Sequence, residues 1–103
     1  MFIRAKEQGR AVKYTGDNFA EVLEALSIVD TMNRLFGTTD RESLLEAYRA
    51  DAQVNSNSVF IKHWSREESC RVLPGMYAVI TNWGVFALTE TDFNELYEED
   101  TTI

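Results

Sequence analysis

The chain has 103 residues, 45% of them apolar, with 17 acids against 10 bases and a single cysteine; that is enough for one small domain. Its apolar content excludes intrinsic disorder, and no apolar run approaches the roughly 20 residues that a bilayer-crossing helix needs. One cysteine, Cys70, excludes an internal disulfide, and a net charge of −7 argues against direct binding of free nucleic acid, whose phosphates are held by clustered Lys and Arg.

The opening residues meet charge at once (Arg4, Lys6, Glu7) and contain no apolar core of a secretory signal, so the cytoplasm is the expected location and no membrane association is expected. The charge is uneven. Arg4, Lys6, Arg10 and Lys13 against Glu7 give the first segment a local +3, whereas Glu90, Asp92, Glu95, Glu98, Glu99 and Asp100 meet no base and give the last a local −6. Such a tail either keeps a small domain in solution or presents itself to a basic partner surface.

Residues 10–14 alternate weakly and end in Thr15-Gly16-Asp17-Asn18, which reads as a strand and a turn. Asp17 or Asn18 then caps a helix whose Phe19, Val22, Leu23, Leu26 and Val29 share one face, with Glu21 and Glu24 on the other. After Ser27 the pattern loosens: Met32, Leu35 and Phe36 continue this helix or begin another, which Gly37 ends. Thr39 and Glu42 have capping-box spacing ahead of a helix carrying Leu44, Leu45 and Tyr48 and ending near Ala52. Asn55-Ser56-Asn57-Ser58 is a polar loop.

Val59 to Trp64 reads as a strand with Val59, Ile61 and His63 on one face and Phe60, Lys62 and Trp64 on the other. A charged connector follows. Cys70 to Leu73 restarts a strand, Pro74-Gly75 bends it, and Met76 to Thr81 continues it. Asn82-Trp83-Gly84 turns the chain back into Val85 to Leu88. Thr91 or Asp92 caps a last helix with Phe93, Leu96 and Tyr97 at helical spacing, able to seal the sheet. The expected class is α+β: a small antiparallel sheet with two or three packed helices and a short C-terminal helix. Residues 1–103 form a single domain, with 27–57 as a helical insertion.

Two segments resemble a family of small bacteriophage and prophage proteins. These are Ala11-Val12-Lys13-Tyr14-Thr15-Gly16-Asp17-Asn18 near the start and Pro74-Gly75-Met76-Tyr77-Ala78-Val79-Ile80, Gly84-Val85-Phe86 and Thr91-Asp92-Phe93-Asn94-Glu95-Leu96-Tyr97-Glu98 near the end. Met76 and Val85 replace acids of the family pattern. The resemblance implies a phage setting and a fold, and no particular chemistry.

The residue chemistry points away from catalysis. His63 and Cys70, one of each kind, cannot assemble a zinc set of about four N/S ligands, so no metal and no cofactor is expected. Cys70 beside Arg71 could have a lowered thiol pKa, and a Cys70–His63 dyad requires their strands to pair. The five glycines are isolated and form no phosphate loop. Glu67 with Glu68 and the terminal acids read as solvated carboxylates.

What is left is exterior. Trp83 lies in a tight turn that usually holds Gly, Asn or Asp; it either projects as a contact anchor or folds back over the sheet edge. With Asp92, Glu95, Glu98 and Glu99 on an acidic terminal helix, it forms the candidate partner-binding surface. The expected function is that of a phage-encoded, non-enzymatic accessory protein that binds and inhibits a host defence or nucleic-acid-processing protein with a basic surface. The alternative is an oligomeric small-ligand or nucleotide-binding protein. Leu35, Phe36, Leu44, Leu45 and Tyr48 of the inserted region could equally supply a homodimer face.

Overall fold

The computed structural model describes residues 2–4, 8–37 and 40–99. Four helices and seven strands follow one another as β1 (Phe2–Arg4), β2 (Gln8–Lys13), α1 (Phe19–Ala25), α2 (Ile28–Phe36), α3 (Arg41–Val54), β3 (Val59–Lys62), β4 (Ser69–Val72), β5 (Tyr77–Thr81), β6 (Gly84–Leu88), α4 (Glu90–Leu96) and β7 (Glu98–Glu99). The class is α+β, and no described helix is long and apolar enough to cross a membrane.

The strands form two antiparallel sheets rather than one. The larger has the order β6-β5-β2-β1-β7, and β3 pairs with β4 separately. The Pro74-Gly75 corner therefore does more than bend a strand: β4 ends at Val72, and β5 begins at Tyr77 in the other sheet. Backbone bonds from Tyr14 to Met76 and from Gly75 to Tyr14 pin that corner to the end of β2.

Register explains why β5 reads as an unbroken apolar run. Ala78 and Ile80 join Val12 and Tyr14 in the main core, packed against Val22, Leu23 and Leu26 of α1, Leu44, Leu45 and Tyr48 of α3, and Val59, Ile61 and Val72 of the small sheet. The alternate residues, Val79 with Ala11, face the other way and are covered by Phe93 of α4, with Tyr77, Leu88 and Tyr97 around them. A strand buried on both faces loses its polar alternation. Close approach at the β2–β5 seam requires glycine at position 9, where an added Cβ would lie 2.5 Å from the Ile80 carbonyl oxygen.

The helices depart from the expected caps. Asn18 is the first cap, but its side chain makes no cap bond; it accepts from the Thr15 N–H at 2.8 Å and donates to the Lys13 carbonyl at 2.8 Å, closing the turn. A second helix does begin after Ser27, which takes a left-handed φ of 54°. Its hydroxyl accepts from the Arg10 guanidinium on β2 instead of capping α2. Asp40, not the Thr39–Glu42 box, caps α3: its carboxylate accepts from the Ser43 N–H at 2.9 Å and the Ser43 hydroxyl at 2.8 Å, and these bonds hold its pKa below the usual range. Thr39 lies outside the described residues.

Leu44, Leu45 and Tyr48, expected as one option to face another copy, are buried in the chain's own core. Leu35 is partly exposed, and the side chain of Phe36 lies outside the described residues.

Candidate functional site

The β5–β6 hairpin closes at Thr81 opposite Gly84, leaving Asn82 and Trp83 as its two turn residues. The Trp83 N–H donates to the Thr81 hydroxyl at 3.1 Å, which fixes the turn, while the indole remains 70% exposed. Of the two orientations open to it, Trp83 takes the projecting one.

Directly beneath, the loop between β3 and β4 is tied to this tip by His63, which is completely buried. Its Nδ1 accepts from the backbone N–H of Ser65 at 3.0 Å and of Arg66 at 2.9 Å. An Nδ1 that accepts twice carries no proton, so the imidazole is the neutral Nε2–H form, and Nε2 donates to the Thr81 carbonyl at 2.6 Å. The loop is closed further by the His63 N–H on the Glu68 carbonyl and by an Arg66–Glu68 ion pair of 2.9 Å. Glu68 then lies over Gly84, in the space that a side chain there would occupy. One end of the molecule is thus a braced platform carrying an exposed tryptophan.

The acids are arranged differently from a single acidic helix. The last helix is capped by Thr89, whose hydroxyl accepts from the Asp92 N–H at 3.2 Å, instead of by Thr91 or Asp92. It ends at Leu96 because Tyr97 is already extended, at φ −136° and ψ 159°, and packs its ring 5.7 Å from Phe93. Glu98 and Glu99 therefore belong to β7, opposite Arg4 and Ile3 of β1, and do not stack one helical turn from Glu95. The dense four-acid helix is therefore not formed.

Asp92 and Glu95 do face solvent on α4, which is anchored across the outer face of the sheet by Phe93 stacked on Tyr77 at 4.0 Å. Lys13 engages Glu90 at 3.5 Å at the start of this helix. Trp83 and β7 lie at opposite edges of the five-stranded sheet, four strand spacings or about 19 Å apart, with α4 between them. Leu96, expected with Phe93 and Tyr97 to seal the sheet, is instead 56% exposed, and Phe86, on the same sheet face as Val79 and not singled out by the sequence reading, is 38% exposed. The strand spacing would have identified Phe86 only if the face covered by α4 had been known.

Cys70 lies on β4, but β3 ends at Lys62, short of the expected Trp64, so His63 stands just beyond the paired strands, and the two form no nucleophile and base. Both ring nitrogens of His63 are committed to backbone groups. Arg71 faces away from Cys70 and binds Asp51, and burial pushes the Cys70 thiol up to about 11, opposite to the expected lowering.

A second feature has no counterpart in the sequence reading. Leu44, Ala47, Tyr48 and Asp51 of α3 with Phe60 of β3 and Arg71 of β4 line an open groove of about 310 Å³. Asp51 accepts from Arg71 through both carboxylate oxygens, at 2.8 and 3.1 Å, which lowers the pKa of its carboxyl. The Tyr48 hydroxyl donates to the Phe60 carbonyl at 2.5 Å, and burial, then the Asp51 charge, raise its pKa. Compared with protein-family models, with curated proteins and with solved structures, the chain matches none of them.

Proposed function

We propose that this protein acts without turnover, by binding another protein through the side of the molecule that carries Trp83, Phe86 and α4. The observation that supports this reading is the grouping of exposed apolar side chains there. Of the six large apolar residues exposed among the described residues, Trp83, Phe86 and Leu96 lie on the β5–β6 hairpin or α4, with the solvent-facing carboxylates of Asp92 and Glu95 on the same helix. A rigid aromatic anchor costs little entropy on binding, and a carboxylate rim steers a partner of opposite charge. The partner is then a protein with a basic surface around an apolar pocket. The resemblance of the two ends of the chain to small phage proteins makes a host defence or nucleic-acid-processing protein the concrete candidate, inhibited by occupancy. Glu98 and Glu99 contribute at most from the far edge of the sheet.

The test is capture of a stoichiometric partner from a bacterial lysate by the wild-type chain, Trp83→Ala, and Asp92→Lys/Glu95→Lys. Because these side chains are exposed, the variants are expected to fold with stabilities within about 0.5 kcal/mol of wild type. Loss of the partner in both supports the reading. Equal capture by all three means that the surface lies elsewhere.

A further inference from the structure

The groove between α3 and the small sheet stands apart from the Trp83 surface and combines an apolar floor with an unused charged fork. Arg71 is held by three contacts: Nη1 and Nη2 on the two oxygens of Asp51, and its guanidinium carbon 5.8 Å from the centre of the Phe60 ring. Nη1 also reaches the Ser58 hydroxyl at 3.4 Å. The end-on pairing with Asp51 leaves the lateral edge of the guanidinium, Nε–H with the outer Nη2–H, without an acceptor among the described residues. That edge is a second two-pronged donor, spaced for the two oxygens of a carboxylate. Its side chain is 40% exposed, so the edge is reachable, and its orientation is fixed before any ligand arrives.

We infer that this groove binds a small monocarboxylate carried on an apolar, aromatic body, with the carboxylate on the free edge of Arg71 and the body against Leu44, Ala47, Tyr48 and Phe60. Charge selects the class. Asp51 neutralises one unit of Arg71, so the ligand's charge must be matched by what remains. Lys62 supplies this: it lies on the same outward face of the small sheet as Phe60 and Arg71 and forms no ion pair among the described residues. A dianion such as a phosphate ester would set its second charge against Asp51; a monoanion does not. The volume, about 310 Å³, is at the lower end of small-molecule sites and suits a ring system with a short acid arm. The site is independent of the proposed protein-binding surface, and Trp83→Ala is expected to leave it intact.

Indole-3-acetate is a suitable probe, titrated into the full chain while ¹H–¹⁵N spectra follow the backbone and the Arg71 Nε–Hε signal. The expected result is a saturable shift of that side-chain signal together with the amides of Ala47 and Phe60. Binding should be about tenfold weaker or worse for the neutral indole-3-acetamide and for Arg71→Lys, which keeps the charge and loses the fork. Ala47→Trp, which fills the groove from an exposed helix position, should abolish binding without lowering the melting temperature. Equal affinity for acid and amide, an Arg71 signal that stays still at saturation, no saturation at millimolar acid, or unchanged binding by Ala47→Trp would each overturn the assignment. Tighter binding of Gly-Gly-Phe with a free carboxyl terminus would overturn it too, since the groove would then read chain ends and not free acids.

Discussion

His63 Nε2 donates to the carbonyl oxygen of Thr81 at 2.6 Å, joining the loop after β3 to the last residue of β5 across 18 positions of sequence. With Nδ1 taking the N–H groups of Ser65 and Arg66, a single ring satisfies three backbone groups, two from its own loop and one from β5. Imidazole suits this because it offers one donor and one acceptor on opposite sides of a small flat ring. The platform under Trp83 owes its shape to this arrangement.

Replacing His63 by Ala should therefore cost about 3–5 kcal/mol, from a cavity and from backbone groups left without partners. His63→Phe separates the two contributions: it restores the volume and none of the bonds, and should remain at least about 2 kcal/mol below wild type. Urea unfolding with an unchanged m-value measures both variants. A His63→Phe chain as stable as wild type would show that packing alone holds the loop.

Phe93 should behave as the fastening of a separable strap. It is the one fully committed residue of α4, it stacks on Tyr77 at 4.0 Å with the rings 5° from parallel, and its cluster is distinct from the main core. Phe93→Ala removes about 3–5 kcal/mol of packing from that cluster. Amide exchange in α4, and at the β1–β7 pairing, should become fast while β5 stays protected by β2, β6 and the main core. Equal loss of protection in β5 would mean that the strap and the sheet unfold as one unit.

The parts of the fold that local pattern specifies were readable, and those that depend on distant partners were not. The stripe Phe19, Val22, Leu23, Leu26 marks α1 because helical spacing repeats over two turns, and the two-residue turn at Asn82-Trp83 follows from the apolar runs that flank it. The break at Ser27 was only half visible, since a left-handed serine there is supported by Arg10 from another element. β1 and β7, at three and two residues, are too short to display alternation. At the site, Trp83 could be picked out as an unusual turn residue. Glu98 and Glu99 were misplaced because the apolar spacing runs on to Tyr97 while the backbone has already become extended. The Asp51–Arg71 pair joins residues 20 apart on a helix and a strand, and no local signal announces it.

Cys70 should be slow to alkylate. Burial raises its thiol to about 11, two units above the ordinary value of 9.0, so the thiolate fraction near pH 8 falls about 100-fold. Iodoacetamide modification of the native chain at pH 8, followed by mass spectrometry, should be about 100-fold slower than that of the urea-unfolded chain. Comparable rates in the two states would show that the thiol is neither buried nor suppressed.

The Asp51–Arg71 pair predicts a small acid-side contribution to stability with a defined sign. The carboxyl of Asp51 is held below its usual range, first by the Arg71 hydrogen bonds. A carboxyl whose folded pKa is lowered releases its proton more readily in the native state, so the pair stabilises the fold at pH values above the unfolded pKa of about 3.9 and ceases to do so as pH falls through the folded value. Both side chains are more than a third exposed, at 36% and 40%, so solvent screens the pair and its contribution should be small. Asp51→Asn should accordingly be slightly less stable than wild type at pH 7, and the difference should shrink to nothing as the solution is taken below pH 4. Added salt should reduce the same difference at pH 7. A gap between the two chains that persisted unchanged at low pH would mean that Asp51 contributes through packing or another interaction independent of its charge, and not through its ion pair with Arg71.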